Sequence, residues 1–306
     1  MNLEEELSQG VTSESQAYNS DDCLDETWTP LDVDLAAASH QGLVREHNED
    51  HFLVMRFGRS MENLSTNLDE PVLEHGYSLT GYGLLVADGM GGMAGGEVAS
   101  GLALAKLVKL LVDTPDWILA LKREKDATTV LQRMSQRFFQ IDESLKEKAK
   151  RDATLRGMGT TLTVAGTLGN DLVLGHVGDS RAYLLRGTNL QQLTTDHTLA
   201  QALIDAGVAG RDDPATRSMR HVLTAALGSL GARIAPEVLR FKICRGDQLL
   251  ICTDGLTEMV EDGTIATALR EAESSERACQ NLIDLALAGG GSDNITVVLA
   301  RFEPSS

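Results

Sequence analysis

The sequence predicts an α+β fold in which antiparallel sheets are covered by helices. Two observations support this: strand-like and helical segments occur in separate groups, and consecutive strands are joined by connections too short for a crossover helix. The composition agrees, since 42% of the 306 residues are hydrophobic, which is ordinary for a protein with a sizeable core. No window approaches the roughly 18 uninterrupted apolar residues of a membrane helix, so we expect a soluble, cytoplasmic protein.

The charge distribution separates a tail from a domain. The formal net charge is −18, and ten of the 45 acids lie in residues 1–35, which contain no Lys or Arg. Residues 1–30 are acidic, rich in Ser, Thr and Gln and poor in large apolar residues, so we expect a disordered tail. Residues 31–306 are expected to form one domain. A surface this negative repels nucleic acid and anionic membranes, because both are bound mainly by neutralising phosphates.

The first half of the domain begins with strands and continues with helices. We expect strands at 34–39, 51–55 and 82–87, with residues 57–80 as a surface excursion that lacks any sustained period. Helices are expected at 97–112 and within 116–150. The second helical stretch carries apolar residues at spacings of 3 and 4, which predicts one buried face: Leu131, Met134, Phe138, Ile141 and Leu145.

The second half returns to strands. Three strands, at 160–165, 172–177 and 181–185, are separated by tight turns at Gly169-Asn170 and Gly178-Asp179, which predicts an antiparallel meander. His176 lies in the middle of one of them and is expected in the core. The remaining segments follow in order: irregular helices in 196–226, strands at 238–243 and 248–252, helices in 262–288 and a final strand at 294–301.

Several acids stand at the ends of apolar strands, beside glycine or a turn. Asp88 and Asp254 each end a strand and precede glycine, Asp293 follows three glycines and Ser292, and Glu49 and Asp50 precede a strand. A single Asp-Gly pair is most often only a turn. Burying an unpaired carboxylate, however, costs several kcal/mol. Convergence of these acids on one cation site is therefore the better account of the set.

The residue types select the cation and the reaction. Mg²⁺ and Mn²⁺ prefer carboxylate, carbonyl and water oxygens, and the four cysteines show no metal-binding spacing. Two such ions about 3.5–4 Å apart can clamp the oxygens of an in-line phosphoryl displacement. Arg45 precedes Glu49 and Asp50 closely enough to hold a phosphate bidentately beside the ions. Its alternative role is a surface salt bridge to Glu46 or Glu49.

Six short motifs then carry a resemblance. They occur at residues 45–50 (REHNED), 86–92 (VADGMGG), 157–161 (GMGTT), 175–181 (GHVGDSR), 252–256 (CTDGL) and 292–296 (SDNIT). In this order they resemble the motifs of type 2C protein phosphatases, the PPM family, in its bacterial form. The resemblance covers about residues 34–302, and it implies a central β-sandwich of two antiparallel sheets flanked by helix pairs (αββα).

The resemblance also implies the site and its reaction. Two Mn²⁺ or Mg²⁺ ions would be bridged by Asp88, with one bound by the backbone carbonyl of Gly89. Asp50, Asp254 and Asp293 would hold the second ion directly or through water, with Glu49 nearby. Arg45 would bind the substrate phosphate. A metal-bridging hydroxide would attack phosphorus directly, without a phosphoenzyme. The substrates implied are phosphoserine and phosphothreonine on proteins, made by a serine/threonine kinase, and the enzyme would act as a monomer in signalling.

The sequence departs from the family pattern at two positions. Eukaryotic members have a histidine after the Asp-Gly pair, a candidate general acid, where this chain has Met90. Many bacterial members bind a third metal through an acid that aligns with Arg156 here, so a third ion would rest on Asp254 and water, or be lost. Asp179 and Ser180 are expected to be structural turn residues.

Two other functions stay open. The chain could be a two-metal hydrolase of a small phosphoester, because no motif defines the substrate surface. It could instead be a catalytically inactive phosphatase-like binding module. Retention of Arg45, Asp88, Asp254 and Asp293 argues against the inactive module, since an inactive relative should have lost at least one of them.

Overall fold

A computed structural model describes residues 32–61, 65, 77–91, 95–114, 124–210, 213–229 and 234–303. The predicted tail, residues 1–30, lies outside these residues. The strands are β1 (Asp32–His40), β2 (His51–Met61), β3 (Tyr77–Ala87), β4 (Gly89–Met90), β5 (Gly159–Thr160), β6 (Leu162–Leu168), β7 (Asp171–Val177), β8 (Arg181–Arg186), β9 (Asn189–Gln192), β10 (Glu237–Lys242), β11 (Gln248–Cys252) and β12 (Ile295–Glu303).

The helices are α1 (Gly95–Asp113), α2 (Glu124–Arg151), α3 (Leu199–Asp205), α4 (Pro214–Ser218), α5 (Asp254–Thr257), α6 (Asp262–Glu271) and α7 (Ser275–Ala288). A short 3-10 helix, Ala153–Leu155, follows α2. None of the described helices is both long and apolar enough to cross a bilayer.

Two five-stranded antiparallel sheets form the centre of the molecule. One has the strand order β1-β12-β11-β8-β9 and the other β10-β7-β6-β3-β2. Alternate residues of each strand face opposite layers: Leu84 and Val86 of β3 enter the core between the sheets, while Leu85 and Ala87 face helices α1 and α2. Helices α6 and α7 cover the opposite outer face. The predicted αββα sandwich is confirmed.

The long helix α2 shows how the sequence pattern becomes packing. Met134, Phe138, Ile141 and Leu145 of the predicted stripe are all buried, and Leu131 packs at their margin. Gly175 of β7 makes room for this face, because a Cβ there would lie 2.7 Å from the Phe138 ring. The stripe is therefore core, as predicted. Of the predicted range, residues 116–123 lie outside the described residues.

The interpretation of residues 57–80 as a surface excursion was partly wrong. β2 continues to Met61 and β3 begins at Tyr77, and the two strands pair in register from His51↔Ala87 to Met61↔Tyr77. Phe57 packs over Gly81, where a Cβ would lie 2.4 Å from its ring. Small and polar residues obscure the alternating pattern of a strand in this segment. The strands form because they pair with each other, which the local sequence does not reveal.

The predicted meander was also wrong at its last strand. β6 and β7 form an antiparallel hairpin, but β8 belongs to the other sheet, where it pairs with β11 and β9. Gly178, with φ of 122°, turns the chain from one sheet to the other. A 2.8 Å hydrogen bond between the hydroxyls of Ser180 and Thr161 holds this connection in place. Buried strands of both sheets look alike in sequence, so only packing decides which layer a strand enters.

Candidate active site

The ends of four strands meet at one edge of the sandwich and bring the predicted acids together. Asp50 directly precedes β2 and Asp88 directly follows β3, whose adjoining residues His51 and Ala87 are paired. Asp254 follows β11 by two residues and Asp293 precedes β12 by two, and Cys252 of β11 pairs with Val297 of β12. The antiparallel ladders therefore place two acids from each sheet at a common edge.

The carboxylates are close enough to alter one another's ionisation. Burial raises the pKa of Asp50 to about 7, and the charges of Asp254 and Asp293 add to the rise. Burial likewise raises the pKa of Asp254 to about 7, followed by the charges of Glu258 and Asp293. The pKa of Asp88 lies well above its ordinary value because of burial, then Asp50 and Asp254. Deprotonation of these groups is therefore unfavourable compared with an exposed aspartate unless positive charge is added.

Two oxygens of this cluster test whether a cation fits. Asp50 Oδ1 and Asp254 Oδ1 are buried and have no hydrogen-bond partner among the described residues. Thr253 Oγ1 donates to the other Asp50 oxygen over 2.9 Å, which fixes the carboxylate with Oδ1 left for another ligand. Unpaired buried carboxylate oxygens facing further acids suit Mg²⁺ or Mn²⁺. The donor set therefore fits the predicted divalent ions.

Arg45 contributes positive charge at the edge of the cluster. Its Nη2 lies 2.5 Å from Asp293 Oδ2, and its side chain is 55% exposed while that of Asp293 is 25% exposed. The hydrogen bond to Asp293 raises the pKa of Arg45, burial opposes this, and the charges of Asp293, Asp88 and Asp254 support it. The alternative of a salt bridge to Glu46 or Glu49 is wrong for this arrangement, because the guanidinium pairs with Asp293.

The chain is similar to known proteins along most of its length. The family model for protein phosphatase 2C matches residues 75–286. The PstP serine/threonine protein phosphatase of Mycobacterium tuberculosis is 37% identical over 265 residues, covering 87% of this chain and 44% of that protein. The serine/threonine phosphatase stp of Listeria welshimeri is 33% identical over 261 residues, covering 85% of this chain and 92% of that protein.

The chain belongs to the protein phosphatase 2C family.

Solved structures agree with the fold. The M. tuberculosis PstP structure aligns with a TM-score of 0.67 at 35% identity, covering 89% of this chain and 99% of that one. The Stp1 phosphatase of Staphylococcus aureus aligns with a TM-score of 0.71 at 27% identity, covering 90% and 96%. A further structure, the PstP catalytic domain in complex with two manganese ions, aligns with a TM-score of 0.68 at 34% identity, covering 90% and 100%. The chain spans less than half the length of full-length M. tuberculosis PstP.

Gly89 and Glu49 of this family member lie where the helix α1 begins. A Cβ on Gly89 would lie 2.2 Å from the carbonyl oxygen of Gly96 and 2.7 Å from that of Glu49, so no other residue fits. Burial raises the pKa of Glu49, and the charge of Arg45 and a hydrogen bond donated by the Gly96 N–H oppose the rise. Glu49 thus stabilises the positive helix terminus. Its predicted contact with metal stays a prediction.

Asn294 orients the loop that carries Arg45, a role the sequence reasoning missed. Its Nδ2 donates to the carbonyls of Gln41 (2.8 Å) and His47 (2.9 Å), and its Oδ1 accepts from the Glu49 N–H (2.8 Å). Asn294 is 6% exposed. One buried amide therefore fixes both ends of the segment from 41 to 49. Its position beside Asp293 in the SDN motif was the available signal.

Three more titratable residues join the site without having been predicted there. Asp179, expected to be a turn residue, has a pKa raised well above the ordinary value by burial and then by the charge of Asp254. His221 Nδ1 lies 2.5 Å from Glu258 Oε1, and ligand atoms of both lie within 4.8 Å of an Asp254 oxygen. Ser180 keeps its predicted structural role, and His176 is buried in the core as predicted.

Proposed function

We propose that this chain is a metal-dependent phosphatase that hydrolyses phosphoserine and phosphothreonine on proteins. The observation that carries the proposal is the convergence of four aspartates from both sheets, with unpaired buried oxygens on Asp50 and Asp254, beside the guanidinium of Arg45. Membership of the protein phosphatase 2C family supports it, and the M. tuberculosis and Listeria relatives are named serine/threonine phosphatases.

The residues that would hold two Mn²⁺ or Mg²⁺ ions are those at the strand ends. We assign Asp88 to both ions, the Gly89 carbonyl to one, and Asp50, Asp254 and Asp293 to the other, with Glu49 orienting the loop. Bound divalent cations would activate water as the nucleophile and neutralise the charge on the phosphate oxygens. The PstP catalytic domain, which was solved with two manganese ions, supports this count. With Arg156 exposed, a third ion is left out of the proposal.

The chain itself supplies rigid placement. Thr253 receives the Thr296 N–H (2.9 Å) and donates to Asp50 (2.9 Å), so strand β12 orients the carboxylate through one hydroxyl. On the other sheet, the Asp88 N–H donates to Thr161 Oγ1 (3.0 Å) and Thr161 N–H returns to the Asp88 carbonyl (2.9 Å). The Asp50 carboxylate and the backbone of Asp88 are thereby held before any ligand arrives, which limits the reorganisation needed for phosphoryl transfer.

Arg45 binds and orients the phosphate. Its guanidinium already lies at the margin of the acid cluster and is more than half exposed, so it reaches both Asp293 and an incoming ligand. The planar fork of the guanidinium matches a phosphate oxygen pair, and a cation held by Asp293 would weaken the pairing that now occupies it. A Lys at this position would keep the charge and lose the bidentate geometry.

The decisive experiment measures turnover of p-nitrophenyl phosphate and of a phosphothreonine peptide with Mn²⁺, Mg²⁺ or EDTA. Asp254→Asn should reduce metal-dependent turnover by roughly 100-fold or more, because a ligand oxygen at the reacting centre is lost. Asp284→Asn, which changes an exposed aspartate of α7, is the matched control and should leave turnover unchanged. Hydrolysis that survives EDTA, or that Asp254→Asn leaves intact, would contradict the proposal.

A second variant tests the phosphate role. Arg45→Met should lower kcat/KM for the phosphothreonine peptide by about 10- to 100-fold, since charge-assisted bonds to phosphate contribute about 1.5–3 kcal/mol. Arg45→Lys should recover only part of the loss. Arg151→Met, which removes an arginine with a 78% exposed side chain, is the control. An Arg45→Met enzyme with wild-type kcat/KM would remove Arg45 from the mechanism.

The biological setting is part of the same proposal. We propose that the substrates are proteins phosphorylated by a serine/threonine kinase and that the chain acts in signalling, as a monomer, in the cytoplasm. Sedimentation analysis of the purified chain would test the monomeric state. Loss of phosphorylation on its substrate proteins when the kinase is inactivated would test the kinase link, and both tests are separate from catalysis.

A further inference from the structure

Two apolar side chains stand exposed directly before Arg45. Leu43 is 66% exposed and Val44 is 69% exposed. Most other large hydrophobic residues of the described chain are buried in three continuous cores. Isolated exposed apolar residues are common on surfaces. Two in succession beside a substrate-binding group indicate a surface that binds another molecule.

The backbone of this apolar pair is held firmly. The Leu43 N–H donates to the Gly291 carbonyl over 2.7 Å, and Gln41 Nε2 donates to the Arg45 carbonyl over 2.6 Å. Asn294 fixes the same segment at Gln41 and His47. The exposure of Leu43 and Val44 is therefore a property of a loop whose backbone is held by hydrogen bonds.

The pair adjoins the guanidinium through a shared support. Leu43 Cγ lies 3.1 Å from the position of a Cβ on Gly291, so the side chain rests on that glycine. Arg45 rests on Asp293, two residues further along the same turn. Neighbouring residues of an extended peptide are about 3.3 Å apart along the chain. Because the supports of Leu43 and Arg45 are only two residues apart, a residue close in sequence to a phosphoresidue bound by Arg45 lies within reach of Leu43.

We propose that Leu43 and Val44 form a recognition surface for an apolar residue next to the phosphoserine or phosphothreonine of the substrate. This rests on the proposed phosphatase function and specifies its substrate class. A chain of net charge −18, with exposed Glu46 two residues after Val44, disfavours acidic flanking residues, and the uncharged side chains of the pair match an apolar one. Burial of apolar surface against the pair would supply the selectivity.

The test compares phosphothreonine peptides that differ only by Leu or Ser at single positions within two residues of the phosphothreonine. We expect the best Leu peptide to exceed its Ser partner in kcat/KM by roughly five- to tenfold, from partial burial of one side chain. Leu43→Ser/Val44→Ser should reduce that ratio to within about twofold of unity. The single variant Val44→Ser, which replaces a 69% exposed side chain, gives a second measurement in case the double variant is unstable.

Val112→Ser is the matched control. Val112 is 71% exposed near the end of α1, and Gly96 at the start of that helix adjoins Gly89. Val112 lies 16 residues after Gly96, which places it about 24 Å along the helix at about 1.5 Å per residue. This variant should keep the wild-type Leu-to-Ser ratio.

The outcomes that would contradict the recognition surface can be distinguished from one another. Equal kcat/KM for wild type on both peptides, or a ratio that survives the double variant, overturns the recognition surface. A proportional loss on both peptides indicates that the pair only positions Arg45, which also overturns it. Self-association lost in the double variant, measured by sedimentation, would identify a second copy of the chain as the occupant. Absence of p-nitrophenyl phosphate turnover by wild type would refute the phosphatase function itself.

Discussion

Aspartates occur in this molecule in two opposite electrostatic surroundings. Asp196 and Asp247 each receive two or more hydrogen bonds from an arginine: Arg181 reaches Asp196 at 2.6 Å, and Arg186 reaches Asp247 at 2.7 Å. For Asp50, Asp88 and Asp254, in contrast, burial raises the pKa values most, and neighbouring carboxylates raise them further. The same residue type is thus satisfied within the fold in one region and left in need of positive charge in the other.

The difference teaches how a buried acid can be interpreted. Asp247 is 1% exposed, and Cys244 N–H and Arg186 together pair its oxygens, so it stabilises the fold without any ligand. Burial lowers the pKa of Arg181, but its hydrogen bonds with Asp196 raise the pKa, and the net shift is upward. Burial alone therefore does not indicate function. Burial combined with like-charged neighbours and unpaired oxygens does.

The largest expected effect comes from removing an acid of the unpaired group. Asp88→Asn should reduce metal-dependent hydrolysis of p-nitrophenyl phosphate by about 1,000-fold, because several kcal/mol of transition-state stabilisation would be lost. In EDTA the same variant should unfold at a higher temperature than wild type, because it removes a repelling carboxyl group. Thermal melts with EDTA and with Mn²⁺ check this. If the variant is less stable than wild type in EDTA, the carboxylates of this cluster do not destabilise the metal-free protein, and the contrast with Asp247 is wrong.

Removing an arginine that pairs with a buried aspartate should instead lower the stability of the protein. Arg186→Met should lower the free energy of unfolding by about 3–5 kcal/mol, since it leaves Asp247 charged and buried. Denaturant titration in EDTA gives the value. Arg186→Met combined with Asp247→Leu should recover part of the loss, because the uncompensated charge is then gone. If the single variant is as stable as wild type, pairing does not distinguish the two groups.

A third expected effect is a pH dependence of the metal-free protein. Asp50 and Asp254 have folded pKa values of about 7, above the ~3.9 of an unfolded aspartate. The folded state therefore binds more protons than the unfolded state between about pH 4 and 7. The stability from these groups is fully present below pH 4 and is lost as pH rises through 7, by up to about 1.4 kcal/mol per pH unit per group.

Urea denaturation in EDTA at pH 5, 6 and 7 measures this slope, and Asp50→Asn isolates one contribution. The variant should show a shallower fall with pH than wild type. Saturating Mn²⁺ should abolish or reverse the fall, because cations bind the deprotonated carboxylates. Identical slopes for wild type and Asp50→Asn would show that Asp50 is not part of the coupled group.

Local patterns in the sequence were sufficient for much of the fold and for the acids that converge at one edge of the sandwich. The stripe on α2, the alternating residues of β3 and the short turns report which faces are buried, because side-chain periodicity follows directly from backbone geometry. Asp88 and Asp254 were identifiable because a carboxylate at the end of an apolar strand beside glycine is unusual. The six ordered motifs then implied Arg45, Glu49, Asp50, Gly89 and Asp293 as one set.

Tertiary structure alone decided which partners meet. The transfer of β8 to the opposite sheet, the long β2–β3 hairpin and the approach of Asp179 and His221 to Asp254 depend on contacts between residues far apart in the chain. The pairing of Asp247 with Arg186 is of the same kind, since 61 residues separate them. Sequence determines what each segment must bury or satisfy. Packing between distant segments determines which neighbour does it, and so which aspartates are left for a cation.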